Sequence, residues 1–287
     1  YLFIFAPHMA TRALDATKKT LGASWTRDPL RYATAFGHPG ACIGGTSHVY
    51  RLLVDADLSC RDSKHAIAVP YVISQPSWLV AAELPDGHAA ARSTLLFFRG
   101  HLPRPTIDTR NVRRVLLTKL AGQPGVVIEA ATSLPNATYQ PHDSYLARML
   151  RSTFCLAPRG DTPSSRRVYE AIAAGARAQC STQFLDRAIL TRRRRSAGCI
   201  PVVIADDLEL PFSSRLKWSE FSLRFGEKES LANPLGMLKK VRAVPKERVV
   251  AMQAAVLRAR PSFLWHLDPG RRSAVDEVLQ EMCDAKG

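Results

Sequence analysis

Phe154-Cys-Leu-Ala-Pro-Arg-Gly-Asp-Thr-Pro-Ser-Ser-Arg-Arg-Val-Tyr-Glu-Ala-Ile172 reads as a short buried strand, a tight polar turn and a helix. Residues 154–157 are an apolar run of strand length, and Gly160-Asp-Thr-Pro163 carries turn chemistry. Ser164 and Ser165 have N-cap character ahead of a helix expected over 166–174. The same alternation recurs on either side. Upstream, Leu95-Leu-Phe-Phe98 is an apolar run ended by Arg99-Gly100, and 112–120 spaces Val112, Val115, Leu116 and Leu120 as a helix does. Gly122 and Pro124 stop that helix, 126–128 reads as the next strand, and 145–151 is helical again. Downstream, 200–204 is another buried strand. Strands alternating with helices through short loops require parallel pairing and crossovers, so 91–235 is expected to be an α/β, Rossmann-like unit.

Residues 1–90 hold further strand-like runs at 2–5, 49–54 and 66–72, and Pro85-Asp-Gly87 makes a boundary turn. Stretches 248–258 and 272–282 read as amphipathic helices. The expected organisation is therefore an N-terminal Rossmann-like domain over 1–90, thin enough to suggest an incomplete start, a second domain over 91–245, and C-terminal helices over 246–287. The chain opens on Tyr1-Leu-Phe-Ile-Phe5 without a methionine, so a fragment is expected, with any signal or membrane anchor upstream.

Composition narrows the function classes. With 287 residues, 46% hydrophobic and 23% charged, the chain is an ordinary globular protein. A formal charge of +15 concentrates anions, but the arginines are scattered and the one tight run is Arg192 to Arg195. No basic stripe is interleaved with stacking aromatics, so no nucleic-acid partner is expected; a nucleotide donor or polyanionic substrate suits the excess. Six cysteines without CxxC spacing argue against a zinc site. Cys155 and Cys199 sit in apolar runs and read as core packing, while a Cys42–Cys60 disulfide is left open. The triplet Asn136-Ala137-Thr138 is a sequon, a weak pointer to a secretory compartment.

The segment 154–172 also carries the candidate chemistry. In open α/β sheets ligands bind at the carboxyl ends of the strands, where a following helix presents free N–H groups and the positive end of its dipole to anions. Ser164 and Ser165 would add hydroxyls there, and Arg166 and Arg167 charge. Glu170 follows Arg167 by three residues, so both project from nearly one helix face, and a carboxylate there can accept from ribose hydroxyls. The plainer alternative is that strand-turn-helix with serine caps occurs throughout α/β proteins and that Glu170 is a solvated helix residue.

Together with Gly198-Cys-Ile-Pro-Val-Val-Ile-Ala-Asp-Asp-Leu-Glu-Leu-Pro-Phe212, the segment resembles the exostosin family, glycosyltransferase family 47. Leu96-Phe-Phe-Arg-Gly100, Tyr145 with Met149 and Ser152, and Trp218 with Phe221 agree, and the likeness covers about 91–285. The resemblance implies a GT-B architecture, two Rossmann-like domains facing a cleft. It also implies inverting, metal-independent and cofactor-free transfer of a hexosyl or pentosyl group from a UDP-sugar to a glycan or glycoprotein acceptor, in the Golgi lumen on a membrane-anchored protein. Carried over, Arg167 holds the diphosphate, Glu170 the uridine ribose, and Ser164 and Ser165 donate beside them. The Arg99-Gly100 loop approaches the phosphates, and Asp206 to Glu209 lie near the donor, with Glu209 as a contact. Asp206-Asp207 lacks D-x-D spacing and reads as a loop. For the catalytic base, His8 follows a strand-like run, and His38 lies in Phe-Gly-His-Pro-Gly-Ala-Cys42, which resembles a family stretch whose Asp is absent here.

One departure stands out. In the family pattern Ala171-Ile-Ala-Ala-Gly175 runs straight into Cys199-Ile-Pro-Val202, but here the excursion 176–198 intervenes. It holds six arginines and one acid, about a third of the excess charge, and includes a possible short helix at 184–190. Both a surface insertion and a gene-model artefact are open. The contrasting functional reading is a catalytically inactive exostosin-like protein that binds glycans or polyanions.

Overall fold

The computed structural model describes residues 2–5, 10–27, 30, 32–36, 49–54, 65–73, 92–102, 111–131, 142–174, 198–266 and 270–285. Among them nine strands form two sheets, both parallel throughout. The first takes β1 (Leu2–Phe5), β2 (Ala33–Phe36), β3 (Tyr50–Leu53) and β4 (Ala66–Ala68) side by side in chain order. Helices α1 (Ala10–Leu21) and α2 (Ala23–Arg27) lie between β1 and β2 in the chain. The second sheet comprises β5 (Thr94–His101), β6 (Val126–Ala131), β7 (Ser152–Pro158), β8 (Ile200–Ile204) and β9 (Leu223–Phe225). Their order across the sheet is β6-β5-β7-β8-β9. The chain thus builds outward from β5 to β6 on one side, then returns to place β7, β8 and β9 on the other. The α/β class expected from the alternating runs is what forms.

Helices α3 (Val112–Leu120), α4 (His142–Leu150) and α5 (Arg166–Ala173) follow β5, β6 and β7 in turn. Each buries the face its apolar spacing supplies: Val112, Leu116, Leu117 and Leu120 on α3, Leu146, Met149 and Leu150 on α4. Helix α5 packs against β7 and β8 and is enclosed almost all round, with Val168, Tyr169, Ala171, Ile172 and Ala173 fully buried. Burying Val168 and Ile172 stabilises the fold by about 1.5–3 kcal/mol each. The helix end is closed by a distant residue, since Arg260 Nε donates to the Ala173 carbonyl at 2.9 Å. That satisfies one of the acceptors a helix terminus leaves over. Helices α6 (Glu227–Ala232) and α7 (Pro234–Arg242) pack on α3, and α8 (Lys246–Ala259) packs on α5 and β8.

The last helix, α9 (Ala274–Asp284), turns back to the first sheet: Ala274 and Val278 join Tyr50, Leu52 and Ile67 in one apolar cluster, and the Tyr50 hydroxyl donates to the Met282 carbonyl at 2.8 Å. Trp265 Nε1 adds a bond to the Pro70 carbonyl at 3.1 Å.

Two sequence readings need correction. Cys155 and Cys199 are buried as expected, but they form a disulfide between neighbouring strands rather than packing as thiols, because parallel pairing of Cys155 with Pro201 sets their Cα atoms 5.6 Å apart. Arg99-Gly100 is not a loop: both continue β5, paired with Glu129 and Ala130 of β6. Cys42, Cys60, the sequon, the 85–87 turn and, apart from Gly198, the 176–198 excursion lie outside the described residues. Among the described residues no helix is long and apolar enough to cross a membrane, and no cluster of His, Cys, Asp and Glu is arranged to hold a metal ion.

Candidate functional site

Strand order reverses between β5 and β7, and the carboxyl ends of those two strands form the crevice where open α/β sheets bind ligands. Four of the residues expected from sequence meet there. Arg99 and Gly100 lie near the end of β5, and Arg167 and Glu170 stand in the first turns of α5 after β7. Gly100 permits the approach: a Cβ there would come 2.9 Å from Phe98 Cζ and 3.3 Å from Arg167 Nε. Any larger residue would push on a ring that has nowhere to go.

Glu170 is not the solvated helix residue of the plainer alternative; it is 4% exposed. Its Oε2 accepts from Arg167 Nη1 and from the Tyr145 hydroxyl, the latter at 2.7 Å, and its Oε1 faces Arg166 Nε at 3.1 Å. The i,i+3 and i,i+4 spacings place both arginines on the carboxylate's side of the helix. Burial alone would lower the Arg167 pKa, but the neighbouring Tyr145 and Glu170 outweigh it and raise it, so this guanidinium stays charged. The Tyr145 ring lies beneath two cations, 5.3 Å from Arg167 Cζ and 5.5 Å from Arg99 Cζ. Burial, then the Glu170 charge, lift the Tyr145 phenol well above the usual tyrosine value.

Ser164 and Ser165 stand at the start of α5, as expected. Ser165 occupies the N-cap position with extended backbone and makes no side-chain cap bond. Both serines are 3% exposed, and the Ser165 hydroxyl accepts from Arg113 Nη2 at 3.4 Å. Arg113, from α3, is the brace of the crevice. Its Nε donates to the Arg159 carbonyl and its Nη1 to the His101 carbonyl, each at 2.9 Å, so one guanidinium ties the end of β5 to the turn after β7.

Glu209 stands exposed on the loop after β8, one strand further along the sheet. That loop is fixed from below: Arg224 donates to the carbonyls of Ala205, Asp206 and Leu208 at 3.0–3.2 Å. Asp206 and Glu227 cap one another, the Glu227 N–H donating to Asp206 Oδ1 at 2.9 Å and the Asp206 N–H to Glu227 Oε1 at 3.0 Å. Asp206 therefore anchors helix α6. His8 and His38 lie outside the described residues.

Sequence reasoning assigned no role to Tyr145, Arg113 or Glu227. Tyr145 carried a signal, as part of the flanking resemblance. Arg113 sat among arginines on the polar face of an amphipathic helix, where nothing in the pattern marks one as turned inward.

Residues 54–176 match the Exostosin GT47 domain, a span that includes every residue of the cluster described above and excludes Glu209. A probable glucuronosyltransferase of Oryza sativa subsp. japonica is 29% identical over 222 residues, covering 75% of this chain and 40% of its own length. A probable glucuronoxylan glucuronosyltransferase of Arabidopsis thaliana is 27% identical over 176 residues (59% of this chain, 30% of its own). A probable arabinosyltransferase of the same plant is 26% identical over 191 residues (67% and 35%). The chain thus spans 30–40% of the length of these relatives.

Proposed function

The chain carries an exostosin GT47 domain over residues 54–176, and from that premise we propose that it belongs to a glycosyltransferase that moves a sugar from a UDP-sugar to a glycan or glycoprotein acceptor with inversion. The observation that carries this reading is the convergence of Arg99, Gly100, Arg167 and Glu170 at the switch point between β5 and β7. The relatives named for glucuronosyl and arabinosyl transfer support it and leave both hexosyl and pentosyl donors open.

In this reading Arg167 and Arg99 face the donor diphosphate, and the charge that develops on the leaving group is met by guanidinium groups and helix N–H groups already in place. That role needs no metal ion or cofactor. Glu170 accepts from the ribose. An ionised carboxylate offers about four acceptor sites. Tyr145, Arg166 and Arg167 contact Glu170 here, and Arg166, with 44% of its side chain exposed, is the partner that can swing aside. Glu209 reaches the donor from the loop after β8.

The two parallel sheets are the halves of a GT-B cleft in this proposal, with the acceptor on the side of the first. The base that takes the acceptor proton is His8 or His38, which follow β1 and β2 in the chain. A membrane anchor upstream and a Golgi lumenal location complete the reading, and the Cys155–Cys199 disulfide suits an oxidising compartment.

The test is binding of UDP by thermal shift, repeated on Glu170→Ala, followed by hydrolysis of a panel of UDP-sugars by a longer chain. Stabilisation of the wild type and not of the variant is expected. A folded wild type whose melting is indifferent to UDP would remove the donor site.

A further inference from the structure

We propose that Tyr145 is the positioning residue of this site: its hydroxyl fixes the Glu170 carboxylate and its ring seats the Arg99 and Arg167 guanidinium groups, so that ribose recognition in a nucleoside diphosphate depends on Tyr145 acting through Glu170. The inference rests on the donor-site reading and adds a residue and a specificity to it.

Tyr145 meets three of the cluster's four charged groups. It donates to Glu170 Oε2 at 2.7 Å and lies under Arg167 and Arg99 at 5.3 and 5.5 Å. The ring is held from behind by Phe97, centroid to centroid at 5.9 Å, and its helix is pinned by the buried Leu146, Met149 and Leu150. It is itself 4% exposed. The phenol keeps its proton at any physiological pH, because burial and the Glu170 charge both oppose ionisation, so it is a permanent donor.

The carboxylate needs such a donor. The terminal torsion of a glutamate is broad and roughly two-fold, so two arginines alone leave its plane poorly defined. Arg166 contributes little fixity from its half-exposed position. With the Tyr145 hydroxyl and Arg167 both on Oε2, Oε1 is left to Arg166, and it becomes available when Arg166 swings aside. Without the hydroxyl, the carboxylate turns toward the arginines and the ribose loses a directed acceptor. The diphosphate contacts, made by the arginines, are not affected to the same degree.

The experiment titrates UDP and its 2′-deoxy and 3′-deoxy analogues calorimetrically into the wild type, Tyr145→Phe, Glu170→Ala and the double variant, each checked for folding by circular dichroism. The wild type should prefer UDP to at least one deoxy analogue. Tyr145→Phe should weaken UDP about tenfold, as loss of one hydrogen bond to a charged group does, and leave that analogue within about twofold. The preference collapses, and the substitution adds nothing when Glu170 is already alanine. Equal weakening of UDP and the analogues, no change in either, or an undiminished effect in the Glu170→Ala background each overturns the proposal. If Tyr145→Phe does not fold, Tyr145→His carries the same comparison, because its shorter ring does not extend to Oε2. A folded wild type that binds no UDP is a different result; it removes the donor site itself and this inference with it.

Discussion

Replacing Arg113 by alanine should destabilise the protein and loosen the crevice at once. The side chain makes two well-formed bonds, to the carbonyls of Arg159 and His101 at 2.9 Å, and two at the edge of bonding distance, to the Pro158 carbonyl at 3.5 Å and the Ser165 hydroxyl at 3.4 Å. A hydrogen bond from a charged donor contributes about 1.5–3 kcal/mol. The residue is only half-buried, so two such bonds at the low end give about 2–3 kcal/mol, a fall in Tm of about 5 °C for a chain of this size. Lysine keeps the charge but not the fork, and one ammonium cannot serve both strand ends, so Arg113→Lys should recover less than half of the loss. Gly160→Ala probes the same brace from the other side, since its Cβ would lie 2.9 Å from Arg113 Nη2. It should cost about 1 kcal/mol alone and much less when Arg113 is already alanine. Urea denaturation followed by circular dichroism measures the four variants against wild type. An Arg113→Ala variant within about 0.5 kcal/mol of wild type, or a lysine variant equal to wild type, refutes the brace.

Non-reducing peptide mapping should recover Cys155 and Cys199 as one cross-linked species, and Cys155→Ser with Cys199→Ser should lower stability by about 4 kcal/mol, the chain-entropy value for a separation of 44 residues. Glu227→Ala removes a carboxylate that accepts from Arg159 Nη1 at 3.3 Å and from the Asp206 N–H; breaking this buried set should cost about 3 kcal/mol by the same denaturation assay. The raised Tyr145 pKa means the folded state holds the phenol proton more tightly than the unfolded state. Its contribution is full below about pH 10 and lost only as pH rises through the raised folded value. Absorbance titration of the native protein to pH 11 should therefore show fewer phenolates than the seven tyrosines allow, with a smaller shortfall in Tyr145→Phe and full ionisation on unfolding.

The second sheet was legible because its strands are short apolar runs between glycine, proline and charged stops, and its helices bury one regular stripe. Helix 112–120 and strand 200–204 fall where the pattern puts them. Strand β9 escaped notice because an exposed arginine between two half-buried residues, Leu223 to Phe225, carries almost no periodic signal; pairing with β8 makes them a strand. The contiguous part of the candidate site was also legible, since Arg167 and Glu170 share one helix face by spacing alone. Its noncontiguous part was not: Arg113 acts on a carbonyl 46 positions away, and Tyr145 on a carboxylate 25 positions away. Periodicity reports which face is buried and is silent on which distant residue arrives there.

Net charge illustrates the same limit. The chain's formal +15 invites a polyanion as partner, yet five of those charges come from the 176–198 excursion, where six arginines meet one acid. The charge that bears on the crevice is local. Arg99 and Arg148 share Glu129, at 3.9 and 2.9 Å, while Arg166 and Arg167 share Glu170. At the carboxyl ends of β5 and β7, Arg99, Arg113, Arg166 and Arg167 stand about Glu170, so guanidinium groups outnumber that carboxylate. The diphosphate of the proposed donor would bring negative charge to that place, and the low-dielectric wall of Phe97, Phe98 and Tyr145 would strengthen the attraction relative to open water. Global excess charge speeds any anion's approach; the local pairing decides which anion stays.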